Sequence, residues 1–150
     1  MSAMDEVAAL AARFGVTELP PEGPMIPRES LLAFATALKD ELGFGYFTGC
    51  TSIHYAAAGE DPDRTVVWYR VRRIPDGELG FRVTCPTGEA VPSLVGVWAG
   101  ADWQEREQYD LVGTVFSNHP DLRRIMMPED WEGHPLRRDY AIDTRHAPWR

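Results

Sequence analysis

The side chains that could do chemistry are concentrated in the last third of the chain. Imidazole is the commonest protein ligand for metals, and a carboxylate can complete such a site. His119, Asp121 and His134 therefore form one candidate metal site, as in a stand-alone metal-dependent hydrolase. Catalytic zinc pairs, however, usually lie four residues apart on a helix, whereas both histidines here precede proline and so adopt extended or turn conformations. We expect each imidazole to anchor a turn through backbone hydrogen bonds.

Other catalytic motifs find no support in the sequence. It contains no GxSxG elbow, GxGxxG fingerprint or P-loop. Cys50 and Cys85 are far apart and lack a CxxC partner, so we expect buried free thiols. His54 lies four residues from Cys50 on a predicted strand, too far for a hydrogen bond, and we expect one exposed polar edge on this histidine. The sequence therefore predicts no catalytic, cofactor-binding or metal-binding residue in this chain.

The strongest pattern consists of three charged blocks. The first, 103–110, places Arg106 and Asp110 at i, i+4 spacing on a predicted helix. The second and third blocks share His-Pro, then leucine, then paired arginines. Exposed ion pairs and solvated basic turns would explain each block alone, whereas arginine forks also suit carboxylates on another chain. The residues assigned to this motif, as a candidate interface, are Glu105, Arg106, Glu107, Tyr109, Asp110, His119, Pro120, Asp121, Leu122, Arg123, Arg124, Trp131, His134, Pro135, Leu136, Arg137, Arg138 and Asp139.

The elements that must position these blocks follow from periodicity. Helical spacing comes first along the chain, and period-two alternation follows it. This order predicts an α+β fold, with N-terminal helices packed on one face of a mainly antiparallel three- to four-stranded sheet. Alternation assigns Val67, Tyr69 and Val71 to one face. The predicted elements are helices over 4–14 and 29–42 and strands over 44–55, 65–74 and 79–85.

Two more helices are predicted after the sheet. Ser93 is positioned to cap a short helix over 93–98. Asp102 is positioned to cap a helix over 103–111, with Glu105 completing a capping box and the glycine at 113 ending it.

The end of the chain has a different character. Four prolines after residue 116 exclude a long helix, so we expect a globular domain over 1–116 and an extended C-terminal interaction arm over 117–150. Without a partner, this arm should be mobile or pack on a neighbouring copy. Its apolar residues are too many for a solvated tail and call for a partner surface: Leu122, Ile125, Met126, Met127, Trp131, Leu136, Tyr140, Ile142 and Trp149.

Composition excludes several classes of function. A net charge of −8 argues against binding nucleic acid or anionic lipid, because phosphate is repelled. No apolar run approaches the roughly 20 residues needed to cross a bilayer, and the N-terminus is unlike a signal peptide. We therefore expect a cytoplasmic protein without direct membrane insertion. Lys39 is the only lysine, against fourteen arginines, a ratio that codon bias can explain.

Taken together, the three blocks resemble the 30 kDa-type subunit of bacterial NADH:quinone oxidoreductase (respiratory complex I). The matching strings run from Glu105 through His119-Pro120-Asp121-Leu122-Arg123-Arg124-Ile125, and then from Trp131 to Tyr140. His54, Val112 and Asn118 stand where the family usually has an aspartate, an aromatic residue and a glycine.

This resemblance implies a subunit without its own cofactor. FMN, iron–sulfur clusters and quinone would lie in partner subunits. The chain would contact the large quinone-site subunit, which forms much of the quinone-binding region, and its neighbours in the peripheral arm. Its role in proton-translocating electron transfer would be to brace the quinone-site subunit on the cytoplasmic side of the cell membrane. Catalysis would belong to the complex and not to the isolated chain.

Related assemblies leave alternatives open. The same module occurs in membrane-bound hydrogenases and formate hydrogenlyases, often fused to a large-subunit domain. The end of the sequence at Arg150 favours the separate subunit. A metal-dependent hydrolase and a general adaptor domain are further alternatives.

Overall fold

The two N-terminal helices form where the sequence predicts them. The computed structural model describes residues 2–141. Helix α1 spans Ala3–Arg13 and begins with a capping box, in which Ser2 Oγ accepts the Asp5 amide at 3.2 Å and the Asp5 carboxylate accepts the Ser2 amide at 2.9 Å. Helix α2 spans Leu31–Asp40. It is shorter than predicted because its approach, Arg28–Ser30, is a 3₁₀ turn.

Three antiparallel strands form the sheet in the order β1-β2-β3. They span Tyr46–Tyr55 (β1), Arg64–Arg73 (β2) and Gly77–Pro86 (β3). The inner face of β2 carries three fully buried side chains, and its alternate positions face the other side. The α+β fold and the predicted face assignment of β2 are both confirmed.

The core lies between this inner face and the helices. Phe34 of α2 meets Phe81 of β3 with ring centroids 5.5 Å apart, and Phe81 stacks on Tyr69 at 5.1 Å. All three side chains are fully buried. Burial of side chains of this size contributes roughly 2–3 kcal/mol each. Cys50 and Cys85 are buried in this core as free cysteines, as the sequence predicts, and burial raises the pKa of both thiols.

The outer edge of β3 is covered by the segment before α2. The Ile26 amide donates to the Arg82 carbonyl at 2.8 Å, and the Arg82 amide donates to the Pro24 carbonyl at 3.0 Å. A Cβ on Gly23 would lie 1.8 Å from the Gly80 carbonyl oxygen, so glycine is required at this crossing. The pairing protects the edge from association with other strands.

The second half of the domain adds one helix and a small sheet. Strand β4 (Val91–Pro92) pairs in parallel with β5 (Phe116–Ser117), and helix α3 spans Ala101–Val112 between them. Gly113 ends α3 in the left-handed conformation at φ 80°, as predicted.

Two local predictions in this region are wrong. Residues 95–97 form a turn and not a helix, and Ser93 Oγ accepts the Val95 amide at 3.2 Å within it. Helix α3 begins earlier than predicted, with Gly100 at its N-cap, so Asp102 lies inside the first turn and caps nothing. Glu105 has a different partner, because its carboxylate is drawn into the core by the chain before α3.

After β5, residues 118–141 follow an irregular path without helix or strand. Residues 142–150, with the predicted arm residues Ile142 and Trp149, lie outside the described residues. Within residues 2–141, none of the helices combines the length and apolar character needed to cross a membrane.

Candidate functional site

The side chain of Asp110, near the end of α3, is the centre of the motif. It is fully buried, and its Oδ2 accepts three consecutive backbone amides, from Ile125 at 3.1 Å, Met126 at 2.7 Å and Met127 at 2.8 Å. Successive amides that surround one oxygen form an anion-binding nest. One carboxylate of α3 therefore fixes the backbone of the arm.

Arg124 completes this lock. Its Nη1 donates to Asp110 Oδ1 at 2.6 Å and to the Asp110 carbonyl at 3.1 Å, and its Nη2 donates to the carbonyls of Trp131 and Gly133, both at 2.9 Å. Burial is the largest single influence on the Asp110 carboxyl and would raise its pKa. The hydrogen bonds from the Met127 amide, from Arg124 and from the neighbouring amides together hold the pKa below its ordinary value. Asp110 is therefore an anion at neutral pH.

Arg106, one turn before Asp110, holds the other side of the same loop. Its guanidinium is buried and donates to the carbonyls of Arg123 and Arg124, both at 3.3 Å. The i, i+4 pair predicted on α3 is therefore not an exposed ion pair. The arginine binds carbonyls of the arm, and the aspartate binds its amides.

His119 anchors a turn, as predicted. Its Nδ1 accepts the Asp121 amide at 3.0 Å, so Nε2 carries the proton and donates to the Asp102 carbonyl at 3.1 Å. Both ring nitrogens are thus engaged by backbone. Among residues 2–141, His119, Asp121 and His134 are not brought into one ligand cluster.

His134 fixes the end of α3. Its Nδ1 lies 2.8 Å from the Asp110 carbonyl and donates to it, and its ring packs against Tyr109 with centroids 5.9 Å apart. A Cβ on Gly113 would lie 2.7 Å from the imidazole, so glycine serves here both the left-handed turn and the close approach. The predicted turn-anchoring role of this histidine is also confirmed.

One histidine was misjudged from the sequence. His54 has no exposed edge, because its side chain is fully buried between the sheet and the arm. Its Nδ1 accepts the Arg138 amide at 3.2 Å, and its Nε2 donates to Asp63 Oδ1 at 2.9 Å. Asp139 lies 3.8 Å from Nδ1. These three acidic and imidazole groups are close enough to hold a metal ion, but both nitrogens of the ring already bind protein groups.

Glu105 is fully buried beneath the β4–α3 connection. Its Oε2 accepts Ser93 Oγ at 2.6 Å, and its Oε1 accepts the Leu94 amide at 2.8 Å. Burial outweighs these hydrogen bonds and raises the pKa of Glu105 to about 7. His119 Nε2 is 3.9 Å from Oε2. The carboxylate predicted to cap α3 instead ties α3 to the preceding turn.

Two glutamines that the sequence analysis did not single out join α3 to the sheet. Gln104 Oε1 accepts the Cys50 amide, and Gln108 Oε1 accepts the Ser52 amide, both at 2.8 Å. These amides lie on the open edge of β1. Their i, i+4 spacing on α3 was the signal available in the sequence, but it gave no clue to the strand partner.

The remaining charged motif residues point outward. Arg123 Nε bonds both oxygens of Asp121 at 2.8 and 3.0 Å, and Arg137 binds Asp139 at 2.7 and 2.8 Å. The second pair lowers the pKa of Asp139 to about 2. The backbone amide of Arg138 is held by the ring of His54, while its side chain is exposed. The other motif residues are Leu122, which packs against the core, Pro120, which is exposed, and Glu107, Trp131 and Pro135, which are half-buried.

Apolar side chains emerge where the arm is anchored. Met126 is 62% exposed although its amide is bound by Asp110, and Leu136 is 63% exposed although its amide donates to the Leu111 carbonyl at 2.8 Å. We call Arg123, Ile125, Met126 and Leu136, around the end of α3, the arm surface. Its backbone is fixed while its side chains lie open.

Comparison with known proteins identifies one family. The family described as respiratory-chain NADH dehydrogenase, 30 Kd subunit, matches residues 24–146, which include all three motif blocks. An NADH-quinone oxidoreductase subunit of this type from Geotalea uraniireducens (strain Rf4) is 43% identical over 121 residues, 79% of this chain and 71% of that protein. The protein of the same name from Moorella thermoacetica is 37% identical over 122 residues, 80% of each chain. That of Streptomyces coelicolor is 43% identical over 122 residues, 78% of this chain but 47% of its own length.

Proposed function

Because the chain belongs to the 30 Kd subunit family of respiratory-chain NADH dehydrogenase, we propose that it is a cofactor-free structural subunit that braces the quinone-site subunit. In this proposal FMN, the iron–sulfur clusters and quinone lie in partner subunits of the peripheral arm. The oxidoreductase and translocase activity belongs to the assembled complex. The chain supports electron transfer from NADH to quinone by holding its neighbours in place.

The observation that carries the proposal is the combination of a fixed backbone and open side chains on the arm surface. Asp110 and Arg124 hold the arm with hydrogen bonds of 2.6 to 3.1 Å, so its ordering cost is met when the chain folds. A pre-ordered surface loses less entropy on binding than a mobile tail. Exposed methionine and leucine side chains gain free energy when a partner covers them.

The division of the chain at residue 116 supports the same proposal. Residues 1–116 contain the sheet and the core, and the arm adds the surface that meets the partner. The complex is attached to the membrane by other subunits, so the chain lies at the cytoplasmic side of the cell membrane as a peripheral subunit. Its net charge of −8 does not favour direct contact with anionic lipid.

The test is co-purification of the tagged chain from a host whose own copy has been deleted, after mild detergent extraction of the membranes. The variant Met126→Asp places a charge on the arm surface, and Met4→Asp places the same charge on a methionine of α1 that is 51% exposed. Wild type and Met4→Asp should recover the quinone-site subunit with an assembly that oxidises NADH. Met126→Asp should lose the quinone-site subunit while the isolated chain remains folded.

Other results would contradict the proposal. Recovery of a nickel–iron hydrogenase would move the chain to the related assemblies. Recovery of the wild-type chain alone would overturn the structural role. Equal recovery of the quinone-site subunit by both variants would overturn the arm surface as the contact.

A further inference from the structure

The sheet face opposite α1 and α2 has a charge unlike that of the whole chain. Alternation along β2 places Arg64, Arg70 and Arg72 on this face, and β3 adds Arg82 beside Trp68. Among the strand positions of this face the one acid is Glu78, paired in register with Arg72. The face therefore has three more positive than negative side chains at these positions, whereas the chain has a net charge of −8. We call it the outer sheet face.

Two of these arginines are held flat on aromatic rings. The Arg82 guanidinium lies 4.8 Å from the Trp68 ring centroid, and that of Arg64 lies 5.0 Å from the Tyr55 centroid. Stacking fixes the orientation of a guanidinium and leaves its N–H donors for a carboxylate. These arginines are thus pre-ordered for anion recognition.

The other two arginines are little compensated. The Arg70 side chain is 71% exposed, and its nearest acid is Glu78 at 3.7 Å, beyond hydrogen-bond distance. No carboxylate of residues 2–141 lies within 4.0 Å of Arg72. Exposed charges of one sign that lie side by side on a sheet repel one another, so an anionic partner would stabilise them.

We propose that the outer sheet face docks an acidic segment of another subunit, with aspartate or glutamate carboxylates seated on these arginines. The charge complementarity is local, because fields are screened beyond about 10 Å in physiological salt. The overall negative charge disfavours a long polyanion such as nucleic acid, whose charge extends beyond the face. The proposal rests on the proposed function only in placing the chain in an assembly, since the arm surface is formed by different residues.

The experiment uses the near absence of lysine from the chain. Lys39, the single lysine, is engaged with the Val97 carbonyl. In the assembled complex, the double variant Arg70→Lys/Glu78→Gln introduces an amine on the outer sheet face and removes its nearest internal carboxylate. A water-soluble carbodiimide then joins amines to carboxylates that are in direct contact, and mass spectrometry identifies the joined peptides. We expect a cross-link from the introduced lysine to an aspartate or glutamate of another subunit.

A matched control reports on the reagent. Arg13→Lys, on α1, should cross-link within the chain to Glu41, which Arg13 already contacts at 2.5 Å and 3.1 Å. A second variant, Arg70→Glu/Arg72→Glu, should release the same neighbouring subunit at a lower salt concentration than the wild type, with at least about tenfold weaker retention.

The outcomes separate this proposal from the proposed function. An assembled complex in which the control cross-links and the introduced lysine does not would overturn docking on the outer sheet face alone. A wild-type chain that purifies without partners would overturn both.

Discussion

Arg124 Nη1 and Asp110 Oδ1 lie 2.6 Å apart, and this pair sets the course of the C-terminal arm over α3. The same aspartate accepts three arm amides, and the same arginine donates to two arm carbonyls farther along. Charged groups that satisfy backbone in this way are costly to remove singly, because the groups that remain are left buried and unpaired.

We predict that Asp110→Ala lowers the free energy of unfolding by about 3 kcal/mol, because Arg124 and three amides lose their acceptor. The arm should also become accessible to protease near Met126. Urea unfolding and limited proteolysis measure the two effects. Asp121→Ala is the control, since this carboxylate is exposed and binds Arg123 at the surface. An Asp110→Ala chain as stable and as protease-resistant as the control would show that the pair does not hold the arm.

The adjacent arginines Arg123 and Arg124 should separate assembly from folding. Arg123 is exposed and contacts only Asp121 through its guanidinium within the described part of the chain, so Arg123→Ala should leave unfolding almost unchanged and weaken incorporation into the complex. Arg124→Ala should lower the free energy of unfolding by about 2–4 kcal/mol. The measurements are urea unfolding of the isolated chain and the amount of each variant that co-purifies with the quinone-site subunit. Normal incorporation of Arg123→Ala would remove this arginine from the proposed interface.

The edge of β1 depends on glutamine. Gln104→Leu leaves the Cys50 amide without its acceptor, which should cost about 1–2 kcal/mol and speed hydrogen exchange at that amide. Gln104→Glu keeps an acceptor oxygen and serves as the matched control. Amide exchange at Cys50 and at Ser52, which Gln108 holds, compares the altered and intact halves of this contact. Equal exchange at Cys50 in both variants would mean that the edge is protected in another way.

Local patterns were sufficient for the elements of the fold. Val67 and its neighbours alternate with polar residues, and only one face of β2 could then be buried. Gly113 ended α3 because a left-handed residue is needed there. Both features depend on residues close in sequence, so spacing alone was enough to predict them.

The contacts of the candidate site could not be predicted in the same way. The Arg138 amide meets His54 across 84 residues of sequence, and Asp110 meets Met127 across 17. The motif indicated which residues matter but not that Asp110 would bind amides of its own chain. The capping box expected at Glu105 failed because a buried donor, the Leu94 amide, competed for the carboxylate.

The last prediction concerns pH. The pKa of Glu105 is raised by burial from 4.5 to about 7 in the folded chain, so the folded state binds this proton more tightly than the unfolded state. Glu105 therefore supports stability fully below pH 4.5, and this support is lost as the pH rises through 7. A difference of this size corresponds to about 3 kcal/mol. Glu105→Gln keeps an oxygen for the Leu94 amide and cannot ionise, so its stability relative to the wild type should rise between pH 5 and pH 8. Urea unfolding across this range measures the difference, with Glu107→Gln as a control on the same helix that should keep the wild-type slope. Parallel curves for Glu105→Gln and the wild type would show that the buried carboxyl ionises as easily in the folded chain as in the unfolded one.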